Sequence, residues 1–390
     1  MLNSTVDPAT KANIYKDIRS GHPRIRLLYV TPETVLSDTF RAALKVVYEQ
    51  RELARVAVDE AHCISEWGHD FRQSFLHLNY LRRSFPRTPI MCLTATAIPL
   101  VRENIIQTLE LDPAQVRVFT TSVSRGNLHY EVRFTSDEED TRFEYLVGWL
   151  KKVHARRGVD SMRRGELDGL GERVDAVSGI VYTSYRAACD ELAAQLRQVG
   201  IGAQAYHAGI SADGRIECQA KWLTSEPGYD VIVATTAFGM GINKEDVRFV
   251  VHWNIPKSFE GYYQEAGRAG RDGRASSCLL FYSREDHRRV LSRSGGFGTA
   301  AAGGMGANQA KQLSIRGKSL RALVEYAECT RKCRHGMITD YFGEESGEGC
   351  CDFACDYCKD PAGLKRRKEQ GLASEEFVSS QSWAVEGYED

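Results

Sequence analysis

Asp59-Glu60-Ala61-His62 follows the run Arg55-Val56-Ala57-Val58 and sets two carboxylates side by side where a buried strand would end. Such an ending is how a nucleotide-hydrolysing parallel sheet presents magnesium chemistry at its carboxyl edge. Asp59 can hold Mg²⁺ through water, and Glu60 can orient or deprotonate the attacking water. A second cluster, Gln264-Glu265-Ala266-Gly267-Arg268-Ala269-Gly270-Arg271-Asp272-Gly273, spaces two arginines three residues apart, on one face of a helix end. Arginine brought to a γ-phosphate stabilises the charge of phosphoryl transfer. Alone, the acidic pair reads as a solvated loop or a helix cap and the arginines as an exposed loop. Together they point to a phosphate-cleaving site.

Longer segments carry a resemblance. Leu28-Tyr29-Val30-Thr31-Pro32-Glu33 precedes the acidic pair, and Val58 to Arg72 runs Asp-Glu-Ala-His-Cys-Ile-Ser-Glu-Trp-Gly-His-Asp-Phe between its ends. Leu93-Thr94-Ala95-Thr96-Ala97, Tyr206-His207-Ala208-Gly209 and Val233 to Asn243 follow in order. Over residues 27–285 and 320–360 the chain resembles the RecQ family of DNA helicases, which are superfamily 2 motors. The resemblance implies an ATP-dependent enzyme that moves 3′ to 5′ on single-stranded DNA and opens duplexes in recombination and repair. It implies ATP, Mg²⁺ and Zn²⁺ as cofactors, and single-stranded and forked or branched DNA as partner. Repair or recombination proteins are further expected partners, the nucleus is the expected location, and no membrane is involved.

Residue roles follow from the same resemblance. Asp59, Glu60, His62, Gln264, Arg268 and Arg271 become catalytic, with hydrolysis between two lobes and Arg271 meeting the γ-phosphate. Asp59, Thr94, Thr96, Gly239, Gly241, Arg268 and Arg271 bind nucleotide. Trp67, His69, Phe71 and Arg72 form an aromatic-rich loop that senses DNA; aromatic faces stack on bases while arginine holds phosphate. On residue type alone, Trp67 and Phe71 would read as core.

These residues need a scaffold. Arg26–Val30, Val56–Asp59, Ile90–Thr94 and Val116–Phe119 read as short buried strands, with amphipathic helices near Phe40–Gln50 and Leu100–Leu109. A second set follows at Gly179–Thr183, Tyr229–Ala234, Arg248–His252 and Cys278–Tyr282, with helices near Arg186–Val199 and Arg215–Leu223. The alternation predicts an α/β fold of two RecA-like lobes with parallel sheets, the first incomplete, followed by a small helical zinc-binding module. The predicted divisions are a partial first lobe over 1–127, and a second over 128–293 with an insertion at 155–177. A linker follows over 294–315, the zinc-binding module over 316–360, and a disordered acidic tail over 361–390. Ser294–Asn308 holds six glycines and four alanines, a flexible composition.

Composition is compatible with this class. With 390 residues, 42% of them hydrophobic, the chain can bury two cores. A formal net charge of −1 excludes a uniformly basic coat, so DNA contact must come from local patches. Six of eleven cysteines fall between Cys329 and Cys358, which fits a metal site better than a disulfide framework. Zinc takes four ligands in a tetrahedron, and Cys355-x-x-Cys358 supplies a tight pair. Cys333 and either Cys350 or Cys351 supply the rest. Cys351 is preferred, because three residues before Cys355 give the loop reach, so the expected set is Cys333, Cys351, Cys355 and Cys358. Cys329 reads as a buried helix residue one turn from Cys333.

One departure from the family pattern stands out. A phosphate loop of the form Gly-x-x-x-x-Gly-Lys-Ser/Thr does not occur; Gly317-Lys318-Ser319 has Gln312 in place of the first glycine. The resemblance therefore implies an amino-terminally truncated helicase. The alternative is a catalytically inactive remnant that binds DNA or a partner through its second lobe and zinc module. The 390-residue chain alone is expected to show little or no DNA-stimulated ATPase activity, since even one oxyanion-type donor is worth about 100-fold. Turnover that is robust in this chain and abolished by Glu60→Gln would contradict that expectation.

Overall fold

The computed structural model describes residues 1–3, 6–65, 72–96, 98–135, 139–158, 165, 169, 173, 177–239, 242–293, 307–345, 351 and 355–372. They fall in two compact units, Met1–Thr121 and Ser122–Asp390. No described helix is long and apolar enough to cross a membrane.

In the first unit, short polar caps start the helices. Asp7 caps α1 (Pro8–Ile18), Thr31 caps α2 (Pro32–Leu36) and Ser37 caps α3 (Asp38–Glu49), each side chain accepting a backbone N–H of the first turn. Proline opens α1 and α2, where its missing N–H costs nothing. Strands β1 (Val56–Val58) and β2 (Ile90–Cys92) pair in parallel, Val56 with Ile90 and Val58 with Cys92. Between them lie a 3₁₀ turn (Ala61–Ile64), α4 (Gln73–Leu76) and α5 (Asn79–Ser84), and α6 (Pro99–Thr108) follows β2. Phe40, Val58, Ile64, Leu81, Val101 and Ile105 share one core.

Two expected strands do not form. Residues 26–30 make only an isolated bridge from Val30 to Leu2, and residues 116–119 make none. A strand is held by its neighbour's hydrogen bonds, and these segments have no such neighbour among the described residues. Phe119 is 89% exposed and Leu27 69%, while Leu28 and Val30 pack against the first unit's core.

The second unit carries a six-stranded parallel sheet in the order β3-β8-β7-β4-β6-β5. The strands are β3 (Leu128–Phe134), β4 (Gly179–Tyr182), β5 (Ala203–Tyr206), β6 (Val231–Ala234), β7 (Phe249–His252) and β8 (Ser276–Tyr282). Every residue of β4, β6 and β7 is buried, as a parallel sheet covered on both faces requires. The helices α7 (Glu139–Gly158), α8 (Arg186–Gln198) and α9 (Ala212–Leu223) lie between strands, and α10 (Phe259–Ala266) follows β7. Leu146 and Leu150 of α7 join Leu192 and Leu196 of α8 in one core with Val181, Val233, Val251 and Phe281. After β8 come α11 (Arg284–Arg293), α12 (Ala307–Glu328), α13 (Arg334–Phe342) and α14 (Asp356–Lys359).

Three expected boundaries shift. Residues 155–158, assigned to an insertion, continue α7, and Arg173 further on donates to Asp230 Oδ1 at 3.0 Å and Ser225 O at 3.3 Å. Helix α12 starts at Ala307 rather than after 315, because alanine, glutamine, lysine and leucine favour helix once the glycines end. Residues 361–372, expected as disordered tail, are helical and bury Leu364 and Leu372. Residues 373–390 and most of 159–176 lie outside the described residues.

Glu328 ties the end of α12 to its neighbours. It accepts from Tyr282 Oη at 2.7 Å and Arg284 Nε at 3.2 Å, and Lys368 Nζ lies at 3.2 Å. Burial pushes its carboxyl pKa up, but the hydrogen bonds from Arg284, Tyr282 and Lys368 outweigh that and bring it to about 2. A depressed carboxyl stabilises the fold above its ordinary pKa of 4.5, and that contribution fades as pH falls from 4.5 toward about 2. Glu328→Gln is expected to cost about 2 kcal/mol at pH 7. The difference from the parent should shrink at pH 3, as urea unfolding at the two pH values would measure.

Candidate nucleotide site and metal centre

The chain leaves β1 through Asp59 and Glu60. Asp59 is exposed, and its Oδ1 accepts the Glu60 N–H at 2.9 Å. Glu60 takes a left-handed conformation, φ 49°, uncommon for a side chain with Cβ. The turn drops Ala61, His62, Cys63 and Ile64 into the core, and the Ala61 N–H donates to Leu93 O at 2.9 Å. Two carboxylates are thus held at the carboxyl edge of the sheet while the next residues anchor the loop.

His62 links this edge to the loop after β2. Its Nδ1 lies 3.0 Å from Thr94 Oγ1 and 3.4 Å from Glu60 Oε2. Thr94 Oγ1 also accepts the Thr96 N–H at 3.2 Å. Thr96 is buried, with Oγ1 lacking a hydrogen-bond partner among the described residues. A change at the carboxylates can therefore reach the 94–96 loop through one imidazole.

In the second unit α10 ends at Ala266 and the arginines follow. Arg268 is buried, and Gly239 lies beside it: a Cβ there would stand 3.5 Å from Arg268 Nη2, an ordinary contact distance. Arg271 is exposed, yet its Nη1 donates to Ile242 O at 2.9 Å. Burial lowers the Arg271 pKa, and the positive charges of Arg268 and Arg125 lower it further. Three guanidiniums close together make a site that an anion would relieve. Gln264 is half-buried on α10.

The metal centre lies at two helix starts. Cys333 precedes α13, Cys355 precedes α14, and Cys351 enters from the segment between. Cys333 Sγ and Cys355 Sγ are 3.9 Å apart, near the ~3.8 Å edge of a tetrahedron with 2.3 Å zinc–sulfur bonds. Ligand atoms of Cys333, His335, Cys351 and Cys355 all lie within 4.8 Å of one another. The Cys358 thiol neighbours those of Cys333, Cys351 and Cys355, and its backbone N–H donates to Cys355 Sγ at 3.4 Å. Burial, then the adjacent Cys355 sulfur, push the Cys351 thiol up to about 12. Crowded thiols resist ionising together, and a bound dication reverses that. The donor set fits zinc.

Three family models match in order: DEAD/DEAH box helicase over 2–104, helicase conserved C-terminal domain over 167–273 and RecQ zinc-binding over 285–359. The chain belongs to the RecQ family of superfamily 2 helicases. It is 38% identical over 369 residues to ATP-dependent DNA helicase Q5 of Mus musculus, covering 94% of this chain and 35% of that protein. To RecQ-like DNA helicase BLM of Xenopus laevis it is 40% identical over 370 residues, covering 92% and 24%. The chain thus spans about a quarter to a third of these relatives' length. Among solved structures it resembles DUF1998 helicase MrfA bound to DNA and AMPPNP, with TM-score 0.52 at 16% identity, covering 75% of this chain and 38% of that one. That likeness supports the RecA-like α/β fold.

Of the positions that the RecQ resemblance singles out, Trp67, His69, Phe71, Gly241 and Cys350 lie outside the described residues. Arg72 is exposed just beyond the aromatic loop, and its charge helps hold down the Glu33 carboxyl, which is lowered first by hydrogen bonds from its own backbone N–H and from Ser74. Sequence reasoning missed Glu260. It is buried, accepts from Ser319 Oγ, and accepts from Tyr341 Oη at 2.6 Å, fixing α10 to α12 and α13. Glu260 gives no local signal, since its partners stand far along the chain. Ser319 belongs to the Gly-Lys-Ser tripeptide, which lies inside α12 where its amides are already engaged.

Gly270 closes the arginine turn with φ 55°, and an added Cβ would lie 2.6 Å from Asn127 Nδ2 and 2.8 Å from Arg274 O. Gly270→Ala is expected to destabilise the chain by about 2 kcal/mol or more, from backbone strain plus the clash. Urea unfolding would check it; a loss under about 0.5 kcal/mol, the size of an ordinary surface change, would show that the turn relaxes freely.

Proposed function

We propose that this chain is the motor part of an ATP-dependent DNA helicase that moves 3′ to 5′ along single-stranded DNA. The observation that carries the reading is the order of the three family matches along two α/β units, each with a parallel sheet, with the acidic pair in the first and the arginine turn in the second. Asp59 holds Mg²⁺ through water, Glu60 activates the attacking water, and His62 passes the state of the nucleotide to Thr94 and Thr96. Gln264, Arg268, Gly239 and Gly241 serve the nucleotide, and Arg271 is the finger on the γ-phosphate. Exposure favours Arg271 over the buried Arg268 for that role. Trp67, His69, Phe71 and Arg72 contact DNA, and their stacking reports its presence to the hydrolysis site.

Zinc is held by Cys333, Cys351, Cys355 and Cys358, and it organises the helices after β8. The division into a first lobe to 127, a second lobe to 293 and a zinc module ending near 360 belongs to the same proposal. So do a nuclear location, forked or branched DNA as substrate, and repair or recombination proteins as partners.

The test uses a chimera in which a relative supplies the phosphate-binding loop ahead of residue 1. Arg271→Ala should cut turnover about 10³-fold, within the range for arginine fingers, with a much smaller effect on DNA affinity. Near-normal turnover in that variant would remove Arg271 from the site.

A further inference from the structure

Within the first unit, α3 and α5 border a cavity of about 330 Å³ lined by Lys45, Tyr48, Glu49, Tyr80, Ser84 and Phe85. It lies where both helices end, on the side of the strand starts and away from the sheet edge that carries Asp59 and Glu60. Phe85 is 1% exposed, with Tyr48 tilted against it at 5.1 Å between centroids and Tyr80 edge-on at 5.8 Å. A recess walled by three aromatic rings suits one large apolar side chain. Cations surround it. The Arg41 guanidinium stands over the Tyr80 ring at 4.3 Å and that of Arg87 over Tyr48 at 5.5 Å. Arg87 Nε also donates to Tyr48 Oη at 3.3 Å, and Arg41 Nε is buried with no hydrogen-bond partner among the described residues. Lys45 Nζ lies 3.8 Å from Glu49 Oε1 in an exposed pair, which contributes little and leaves the ammonium open to a partner. Arg83, by contrast, is committed to Glu110. Three cations against one carboxylate make this face locally positive on a chain of net charge −1.

We propose that this cavity docks an acidic peptide segment of a partner protein, with one aromatic side chain seated against Phe85 and carboxylates on either side of it meeting Arg41, Lys45 and Arg87. Glu49 and the carbonyl ends of α3 and α5 put negative groups at the cavity itself, which disfavours phosphate there. A peptide backbone supplies N–H donors to those groups, whereas a phosphodiester backbone offers acceptors alone. The buried anchor then provides most of the affinity, while the surrounding charges set orientation and association rate. None of these residues serves the nucleotide or the metal, so the docking site stands apart from both.

The test titrates the whole 390-residue chain into a fluorescein-labelled peptide, Asp-Glu-Asp-Phe-Asp-Glu-Asp, and follows anisotropy. Saturable binding is expected, about tenfold weaker when alanine replaces the peptide's phenylalanine. The double variant Lys45→Glu, Arg87→Glu should lose about tenfold or more. Both side chains are exposed, so the fold survives their replacement. Ser84→Trp, which fills the cavity, should block the peptide by shape rather than charge. Absence of saturable binding to the parent would overturn the proposal, as would unchanged binding in the double variant. Equal binding of the alanine peptide would reduce the effect to plain charge attraction and overturn it too. Tighter binding of a peptide with arginine in place of every acid would mean that the aromatic rings receive a cation instead. Displacement of the peptide by oligothymidylate from the parent, with the double variant failing to bind that DNA, would assign the face to nucleic acid and likewise defeat the peptide assignment.

Discussion

Arg334 and Asp356 form a buried pair on which much of the second unit depends. Arg334 Nε donates to Asp356 Oδ1 at 2.9 Å and Nη2 to Oδ2 at 3.2 Å, and both side chains are almost wholly enclosed. Arg334 Nη1 also donates to Tyr326 O at the end of α12, and Asp356 Oδ2 accepts the Val132 N–H of β3 at 2.9 Å. Such a pair holds only when its remaining hydrogen bonds are also met, and removing one partner strands a charge in the interior. Each member directly follows a metal-site cysteine, Cys333 or Cys355. The residues that place the ion pair therefore also place the sulfurs, and Cys355 bridges to Tyr130 in the same strand.

The arginine-bearing helix is tied into that assembly. Phe259 stacks on Tyr341 with centroids 4.3 Å apart, Tyr262 Oη meets Tyr326 Oη at 3.1 Å, and Glu260 joins Ser319 and Tyr341. On its far side the turn is held by Arg125, which donates to Gly270 O at 2.5 Å, and by Asn127. Arg125 offers its own carbonyl to His335. The position of Arg268 and Arg271 is thus tied to packing that runs to the cysteine cluster.

Sequence revealed what is local. Val56–Val58 and Val231–Ala234 are continuous apolar runs, and the acidic pair and paired arginines announce themselves by residue type. Edge strand β3 was missed although Leu128, Tyr130, Val132 and Phe134 alternate with His129, Glu131 and Arg133, the pattern of a strand whose two faces differ. Residues 26–30 and 116–119 erred the other way, because propensity cannot tell whether a pairing neighbour exists. Pairs such as His62 with Thr94, Glu260 with Ser319 and Arg125 with His335 leave no trace in spacing, since the fold alone brings them together.

Among the described residues strand β3 sits at the edge of its sheet and has β8 as its one strand partner, with Leu128 aligned to Ser276 and Phe134 to Tyr282. Everything between those strands must be made before β3 has hydrogen bonds to join. During synthesis the first strand of the second unit would wait, its apolar face unpaired, until the last strand left the ribosome. Pairings this distant in sequence are slow to form, and an unpaired strand is open to association with other chains in the meantime. Misfolding of this chain should therefore begin with β3, whatever the stability of the finished sheet.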